Sequence, residues 1–198
     1  MNTINLPHNI PDDMGESQSI LSLSHGMDPI VTLLTENLPK ESSIFDVGAG
    51  HGRNSIPLAQ MGYRVSTSDL SLTTLRTNAL IRNLCIEYYE WDILNHGFDW
   101  GYDAFVCMRV LHFLESDEAK YIIQKMQNHT KPGWFNALTF FTDATPHNPK
   151  WFFPNLEDVK TLYCDWRLLI VSDPILSSPS ETTWWREMIS VSCLFQKI

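Results

Sequence analysis

A run of alternate glycines is the feature that most constrains the fold of this chain. The run Asp46-Val47-Gly48-Ala49-Gly50-His51-Gly52 directly follows a short apolar strand pattern, Ile44-Phe45. Glycines at the end of a strand let the backbone approach a ligand closely, and a helix that begins there presents free N–H groups to an anion. A second strand pattern, Tyr63–Thr67, follows the run, and Asp69 comes just after it. This order of strand, glycine loop, helix, strand and carboxylate predicts a βαβ unit that binds a nucleoside.

The spacing of the glycines separates two classes of nucleoside ligand. A dinucleotide fingerprint, G-x-G-x-x-G, needs its third glycine at position 53, where this chain has Arg53. The observed pattern D-x-G-x-G-x-G instead resembles the first motif of the class I methyltransferases that use S-adenosylmethionine (SAM). The resemblance covers about residues 25–196. It implies a Rossmann-like, doubly wound α/β fold, with a seven-stranded, mostly parallel sheet, an antiparallel last strand and helices on both faces.

Acidic residues after the next two strand patterns extend the resemblance. In this superfamily the glycine loop holds the amino-acid end of SAM, and carboxylates after the second and third strands, here Asp69 and Asp92, bind the ribose and the adenine. Each acid could instead be a solvated strand end, and Arg53 could either bridge to the SAM carboxylate or form a surface ion pair. The cofactor residues that the resemblance implies are Asp46, Gly48, Ala49, Gly50, Arg53, Asn54, Asp69, Leu70, Asp92, Ile93, Met108 and Arg109.

Within the superfamily the chain resembles the small tellurite-resistance (TehB-type) methyltransferases. It shares the stretch D-x-G-x-G-x-G-R-N-S from Asp46 to Ser55, the pair Gly62-Tyr63 and the aromatic segment Trp151–Pro154. That group carries basic residues and a histidine shortly before its last strand, which suit an oxyanion. Residues 177–186 of this chain contain Arg186 as their one basic residue. This departure argues against a tellurite-type substrate, although Arg186 could serve a carboxylate.

Composition and charge bound the class of protein and of substrate. A chain of 198 residues, of which 43% are hydrophobic and 19% charged, is long enough for one well-buried globular domain. A formal net charge of −9 without a cluster of Lys and Arg disfavours nucleic acid as the substrate and favours a small molecule.

Targeting signals and cysteines indicate the compartment. No apolar run approaches the ~20 residues of a membrane span, and the N-terminus lacks the basic start and apolar core of a signal peptide. The four cysteines are scattered and form no C-x-x-C pair. This pattern favours buried thiols in a reducing compartment over disulfides or zinc, so we expect a cytoplasmic protein without a metal site.

Strand and helix patterns alternate through the first 141 residues, which predicts a parallel sheet with helices on both faces. Two later strand patterns, Trp166–Ser172 and Met188–Phe195, are predicted to form a closing pair joined by a tight loop. One helix is predicted to start after Ser71 as its N-cap, and another to start after Ser116, with Asp117 and Glu118 in its first turn. We expect residues 1–24 to form an N-terminal arm or lid, and residues 25–198 to form a single methyltransferase domain.

Candidate catalytic and substrate-binding residues follow from their place in the order of elements. His112, after the fourth strand, is predicted to contact or deprotonate the acceptor, although it could instead cap a helix or be partly buried. His25, before the first helix, is a second candidate, with an exposed loop histidine as the alternative. Arg109 could face the cofactor or pair with Asp103. The candidate substrate-binding residues, which could equally plug the sheet edge, are Trp151, Phe152, Trp184, Trp185 and Arg186.

The sequence therefore predicts an enzyme that transfers the methyl group of SAM to a small, apolar or aromatic acceptor by in-line displacement. Two alternatives remain open at this point. The same cofactor site could support a SAM-dependent reaction without methyl transfer, such as cyclisation, or the chain could be a non-catalytic SAM-binding module.

Overall fold

A computed structural model describes residues 3–4, 26–99, 101–144, 150–177 and 188–198. The strands are β1 (Thr3–Ile4), β2 (Ser43–Val47), β3 (Arg64–Asp69), β4 (Ile86–Glu90), β5 (Tyr102–Met108), β6 (Thr130–Phe141), β7 (Trp166–Ser172), β8 (Ile175–Ser177) and β9 (Met188–Lys197). The helices are α1 (Pro29–Glu36), α2 (Ser55–Gln60), α3 (Thr73–Ile81), α4 (Ser116–His129) and α5 (Leu156–Leu162), with a 3₁₀ turn at Leu111–Phe113.

All of these strands belong to one sheet, in the order β1-β7-β9-β6-β5-β2-β3-β4, and β8 adds to β9. The pairs β1·β7, β2·β3, β2·β5, β3·β4 and β5·β6 are parallel, whereas β9 runs antiparallel to β6, β7 and β8. The predicted mostly parallel sheet with an antiparallel last strand is therefore confirmed. The two strands beyond the predicted seven, β1 and β8, have two and three residues, which is too short for a periodic sequence signal.

Alternate residues of the central strands pack against helices on opposite faces of the sheet. Ile44 of β2 and Val106 of β5 belong to a cluster that includes residues of α1, α2 and α3. Their neighbours Phe45 and Phe105 belong to a second cluster with residues of α4 and α5. β5 is therefore buried on both faces, and in the sequence it shows as a nearly continuous apolar run that only Asp103 interrupts.

Three local predictions were wrong. Ser71 does not cap α3, which begins at Thr73 without a side-chain cap. The N-cap of α4 is Glu115, which forms a capping box with Glu118, whereas Ser116 is the first helical residue. The closing strands are not joined by a tight loop, because β8 lies in the connection between β7 and β9 and pairs with β9.

Candidate functional site

The glycine loop lies at the carboxyl end of β2 and is held by β3. The backbone N–H groups of Gly48 and Ala49 donate to the carbonyl of Ser68, at 2.8 and 3.0 Å. Gly48 has a φ of 66°, and a Cβ there would collide with the side chain of Val110. Gly50 has a φ of 52°, but nothing lies within 4 Å of where its Cβ would be. Gly48 is therefore required by packing, whereas Gly50 borders open space that a ligand can use.

Asp69 lies at the end of β3 and joins the two loops that border this space. Its Oδ2 accepts a hydrogen bond from the N–H of Gly50 at 2.8 Å, and its Oδ1 accepts one from the N–H of Ser71 at 3.3 Å. A carboxylate has about four lone-pair sites, so both oxygens retain capacity for a further donor. The next residue, Leu70, has 75% of its surface exposed.

Asp46 lies in β2, beneath the glycine loop, and is 2% exposed. Its Oδ2 accepts a hydrogen bond of 2.5 Å from the hydroxyl of Ser55, the first residue of α2. Burial, together with the nearby charges of Asp28 and Asp69, raises the pKa of Asp46 to about 7, against the lowering effect of the Ser55 hydrogen bond. Asp46 is thus a buried carboxyl group whose ionisation is costly.

Two arginines and an asparagine converge on a residue that was not predicted as part of the site, Asp28. Asn54 Nδ2 donates to Asp28 Oδ2 at 3.1 Å, Arg109 Nη2 donates to Oδ1 at 3.1 Å, and Arg53 Nη2 lies 3.6 Å from the same Oδ1. The predicted alternative that Arg109 pairs with Asp103 is wrong, because Asp103 is paired with Lys131. The sequence signal at Asp28, an acid before a proline, indicates only the start of a helix.

The loop after β4 carries Asp92 and Ile93. Asp92 Oδ1 accepts from the N–H of Leu94 at 2.9 Å, and Oδ2 accepts from the side chain of Asn95 at 3.1 Å. The ammonium group of Lys125, on α4, donates to the carbonyl of Ile93 at 2.8 Å and also to a second carbonyl of the loop. Its burial lowers the pKa of Lys125. The loop is therefore held both by its own acid and by α4.

His112 lies in the 3₁₀ turn after β5, where it is 4% exposed. Its ring contacts those of Phe113, Phe141 and Phe153, with centroids 3.9, 4.6 and 6.2 Å away. Within the described part of the chain, its Nδ1 has no hydrogen-bond partner. Burial, together with the positive charge of Arg109, lowers the pKa of His112 to about 4, so the imidazole is neutral at physiological pH.

Of the remaining predicted residues, one lies at the end of β5, two lie between α4 and α5, and the others lie outside the described residues. Met108 ends β5, and its sulfur accepts from the hydroxyl of Thr139 at 3.2 Å. Trp151 forms a β-bridge with Glu115, and Phe152 is 4% exposed in the core cluster of α4 and α5. These two aromatic residues line a cavity of about 450 Å³ between α4 and α5, which contains no residue of the glycine loop. His25, Trp184, Trp185 and Arg186 lie outside the described residues.

The described residues also bear on metal binding, on membrane spanning and on the state of the cysteines. Among the described residues there is no group of three or more His, Cys, Asp and Glu side chains that could hold a metal ion. None of the helices in the described ranges is long and apolar enough to cross a membrane. The four cysteines form no disulfide, and only Cys107 and Cys193 are buried, whereas Cys85 and Cys164 are exposed. The prediction of buried thiols therefore holds for half of them.

Comparison with known proteins identifies the family. The model of the family described as "Tellurite resistance protein TehB" matches residues 33–175. A probable S-adenosyl-L-methionine-dependent methyltransferase TehB of Haemophilus influenzae (strain 10810) is 33% identical over 132 residues, which are 64% of this chain and 46% of that protein. The chain thus spans about half the length of the curated relatives it matches.

Solved structures agree with this assignment. The crystal structure of TehB from Haemophilus influenzae superposes with a TM-score of 0.74 at 25% identity, covering 85% of this chain and 61% of that one. Magnesium protoporphyrin IX methyltransferase from Synechocystis PCC 6803, a structure with bound SAM, has the same fold, with a TM-score of 0.66 at 21% identity over 86% of this chain and 77% of that one. This chain belongs to the TehB family of class I SAM-dependent methyltransferases.

Proposed function

We propose that this chain transfers the methyl group of SAM to a small-molecule acceptor. The observation that carries the proposal is the open space beside Gly50, where a side chain would meet nothing within 4 Å and where the carboxylate of Asp69 reaches the loop. Acidic and backbone hydrogen-bonding groups surround this space at the carboxyl ends of β2 and β3. Ligands of open parallel sheets bind at this edge, where the strand order reverses.

We assign the two ends of SAM to different elements. The glycine loop, with Arg53 and Asn54, would hold the carboxylate of the amino-acid end, and Asp46 would favour its ammonium group. Asp69 would accept hydrogen bonds from the ribose hydroxyls and Leu70 would cover the sugar. Asp92 and Ile93 would bind the adenine, and Met108 and Arg109 would lie below the sulfonium.

SAM supplies an activated methyl group, so the protein has to hold the acceptor in line, align it and exclude water. His112 fits a contact role better than a catalytic base. A neutral imidazole with a pKa near 4 accepts a hydrogen bond but takes a proton poorly from an acceptor whose own pKa is far higher. We therefore propose that His112 orients the acceptor, and that the acceptor's nucleophilic atom arrives with a free lone pair.

Three rings around His112 support an apolar or aromatic acceptor. Phe113 is 64% exposed, and Phe141 and Phe153 stack with each other at 6.4 Å behind the imidazole. Such a wall would exclude water from a planar acceptor, and the His112 ring would supply a polar group beside it. The predicted substrate contacts remain Trp151, Phe152, Trp184 and Trp185, with Arg186 for an acceptor carboxylate. His25 remains the second candidate to contact or deprotonate the acceptor.

The organisation and location of the protein are part of the proposal. We propose a single methyltransferase domain over residues 25–198, preceded by an arm at 1–24. The four unpaired cysteines support a reducing compartment and hence the cytoplasm. The net charge of −9 supports a small acceptor over nucleic acid.

Incubation with SAM labelled in its methyl group and a metabolite extract tests the function. We expect S-adenosylhomocysteine (SAH) to form, and label to appear in a small molecule heavier by one methylene than its precursor. Consumption of SAM without a labelled product would favour a reaction other than methyl transfer. Tight SAM binding without turnover on any extract would favour a binding module, and either result would refute the proposal.

A further inference from the structure

Asp28 occupies the N-cap position of α1, but its side chain does not cap the helix. An aspartate at this position ordinarily accepts a hydrogen bond from a backbone N–H in the first helical turn. Here its backbone N–H donates to Asn54 Oδ1 at 2.9 Å, and its carboxylate accepts from Asn54 Nδ2. The residue thereby ties α1 to the segment that follows the glycine loop through two reciprocal hydrogen bonds.

The same carboxylate forms ion pairs with arginines from two other segments of the chain. Arg109, after β5, and Arg53, after the glycine loop, both direct Nη2 to Asp28 Oδ1. The Asp28 side chain is 9% exposed, and burial of a carboxylate is costly unless it is paired and hydrogen-bonded. Arg53 Nε also donates to the carbonyl of Gly26 at 3.4 Å, so the segment leading into α1 lies against this arginine.

The backbone of Arg109 supports a role beyond fold stability. Its φ of 57° is uncommon for a residue other than glycine, and such conformations persist where the surroundings enforce them. The hydrogen bond from its backbone N–H to Thr139, at 2.8 Å, and the bond from its side chain to Asp28 fix it at both ends. Arg109 adjoins the turn that carries His112, so Asp28 links the glycine loop to the acceptor side of the site.

We propose that Asp28 is a positioning residue for the amino-acid end of SAM, because it holds Asn54 and the guanidinium groups of Arg53 and Arg109 beside the glycine loop. This inference rests on the placement of SAM given under the proposed function. A positioning role and a purely structural role predict different effects on ligand binding. Loss of Asp28 should weaken ligands that carry the amino-acid end, and spare a ligand that consists of the adenosine and the thioether alone.

Calorimetric titration of the Asp28→Ala protein with SAM and with 5′-methylthioadenosine tests the proposal. The second compound keeps the adenosine and the sulfur but lacks the amino and carboxylate groups. We expect the affinity for SAM to fall about tenfold and that for 5′-methylthioadenosine to stay within about twofold of wild type. Asp117→Asn serves as the control, because Asp117 is an exposed acid paired with Lys120; it should change neither affinity.

A second variant, Asp28→Asn, keeps the shape of the side chain if the alanine protein does not fold. Its amide has one acceptor oxygen, so its NH2 group would face either Asn54 Nδ2 or the two guanidinium groups, all of which are donors, and this variant should also weaken SAM selectively. Equal losses for both ligands, or no loss for SAM, would overturn the positioning role. A folded wild-type protein that binds neither compound would instead overturn the proposed cofactor site, so the two failures are distinguishable.

Discussion

The buried carboxyl group of Asp46 gives the most quantitative prediction. Burial raises its pKa from 3.8 to about 7, so the folded state binds this proton more tightly than the unfolded state does. The contribution of Asp46 to stability is fully present below about pH 4 and is lost as the pH rises through about 7. We therefore expect Asp46→Asn, which stays neutral at every pH, to stabilise the fold relative to wild type, and to do so more strongly at higher pH.

The difference between the two pKa values sets the size of the effect. One pKa unit corresponds to ~1.4 kcal/mol, so the ionised form of Asp46 costs the fold about 4 kcal/mol in alkaline solution. About half of this cost is already present near pH 5.5, because the unfolded carboxyl group is ionised there. The stability advantage of Asp46→Asn over wild type should therefore grow by about 2 kcal/mol between about pH 5.5 and pH 8. The asparagine oxygen can still accept the hydrogen bond from Ser55.

Urea unfolding of both proteins at several pH values measures this difference directly. Asp103→Asn provides the matched control in the same sheet. Burial alone would raise the pKa of Asp103, but hydrogen bonds from Lys131 and Ser43 outweigh it and lower the pKa. Asp103→Asn should destabilise the fold, by an amount that stays constant over this pH range. A pH-independent difference between Asp46→Asn and wild type would refute the argument from burial.

Three further substitutions test how the site is held. Asp69→Ala should weaken SAM binding by at least ~1.5 kcal/mol in titration calorimetry; wild-type affinity in a folded protein would refute the ribose contact. Gly50→Val should abolish SAM binding, whereas Gly62→Val, at a similarly open position with a φ of 90°, should carry the backbone strain without the loss of binding. Lys125→Met should lower the melting temperature and weaken SAM binding about threefold, and Lys120→Met, at an exposed position of the same helix, should do neither.

The fold, and the sheet edge where SAM is proposed to bind, can be predicted from the sequence for a physical reason. Gly48 and Gly50 have positive φ values, which glycine adopts readily, so these residues themselves encode the conformation of the loop. Asp69 follows the end of its strand pattern, and parallel strands bring their carboxyl ends to one edge. The order of elements along the chain then determines which residues lie near each other.

The contacts that cross between distant elements could not be predicted in this way. Asp28 and Arg109 are 81 positions apart, and their ion pair depends on how α1 packs over the sheet. The rings of Phe141 and Phe153 against His112 depend likewise on the path of the chain after β6. Local patterns contain no information about such packing, which is why the sequence could place His112 near the site but could not decide between an acceptor contact and a buried ring.

The cost of ionising Asp46 also bears on how the site would distinguish SAM from its product. The charges of Asp28 and Asp69 raise the pKa of Asp46, and a cationic ligand beside these acids has the opposite effect. The sulfonium of SAM should therefore lower this pKa and release a proton on binding, whereas the uncharged sulfur of SAH should do so less. If the pKa falls by one unit on binding, the affinity should rise about fivefold between about pH 6 and pH 8. Calorimetry over this range should give a steeper pH dependence for SAM than for SAH, and Asp46→Asn should flatten both; parallel slopes in the wild-type protein would contradict this coupling.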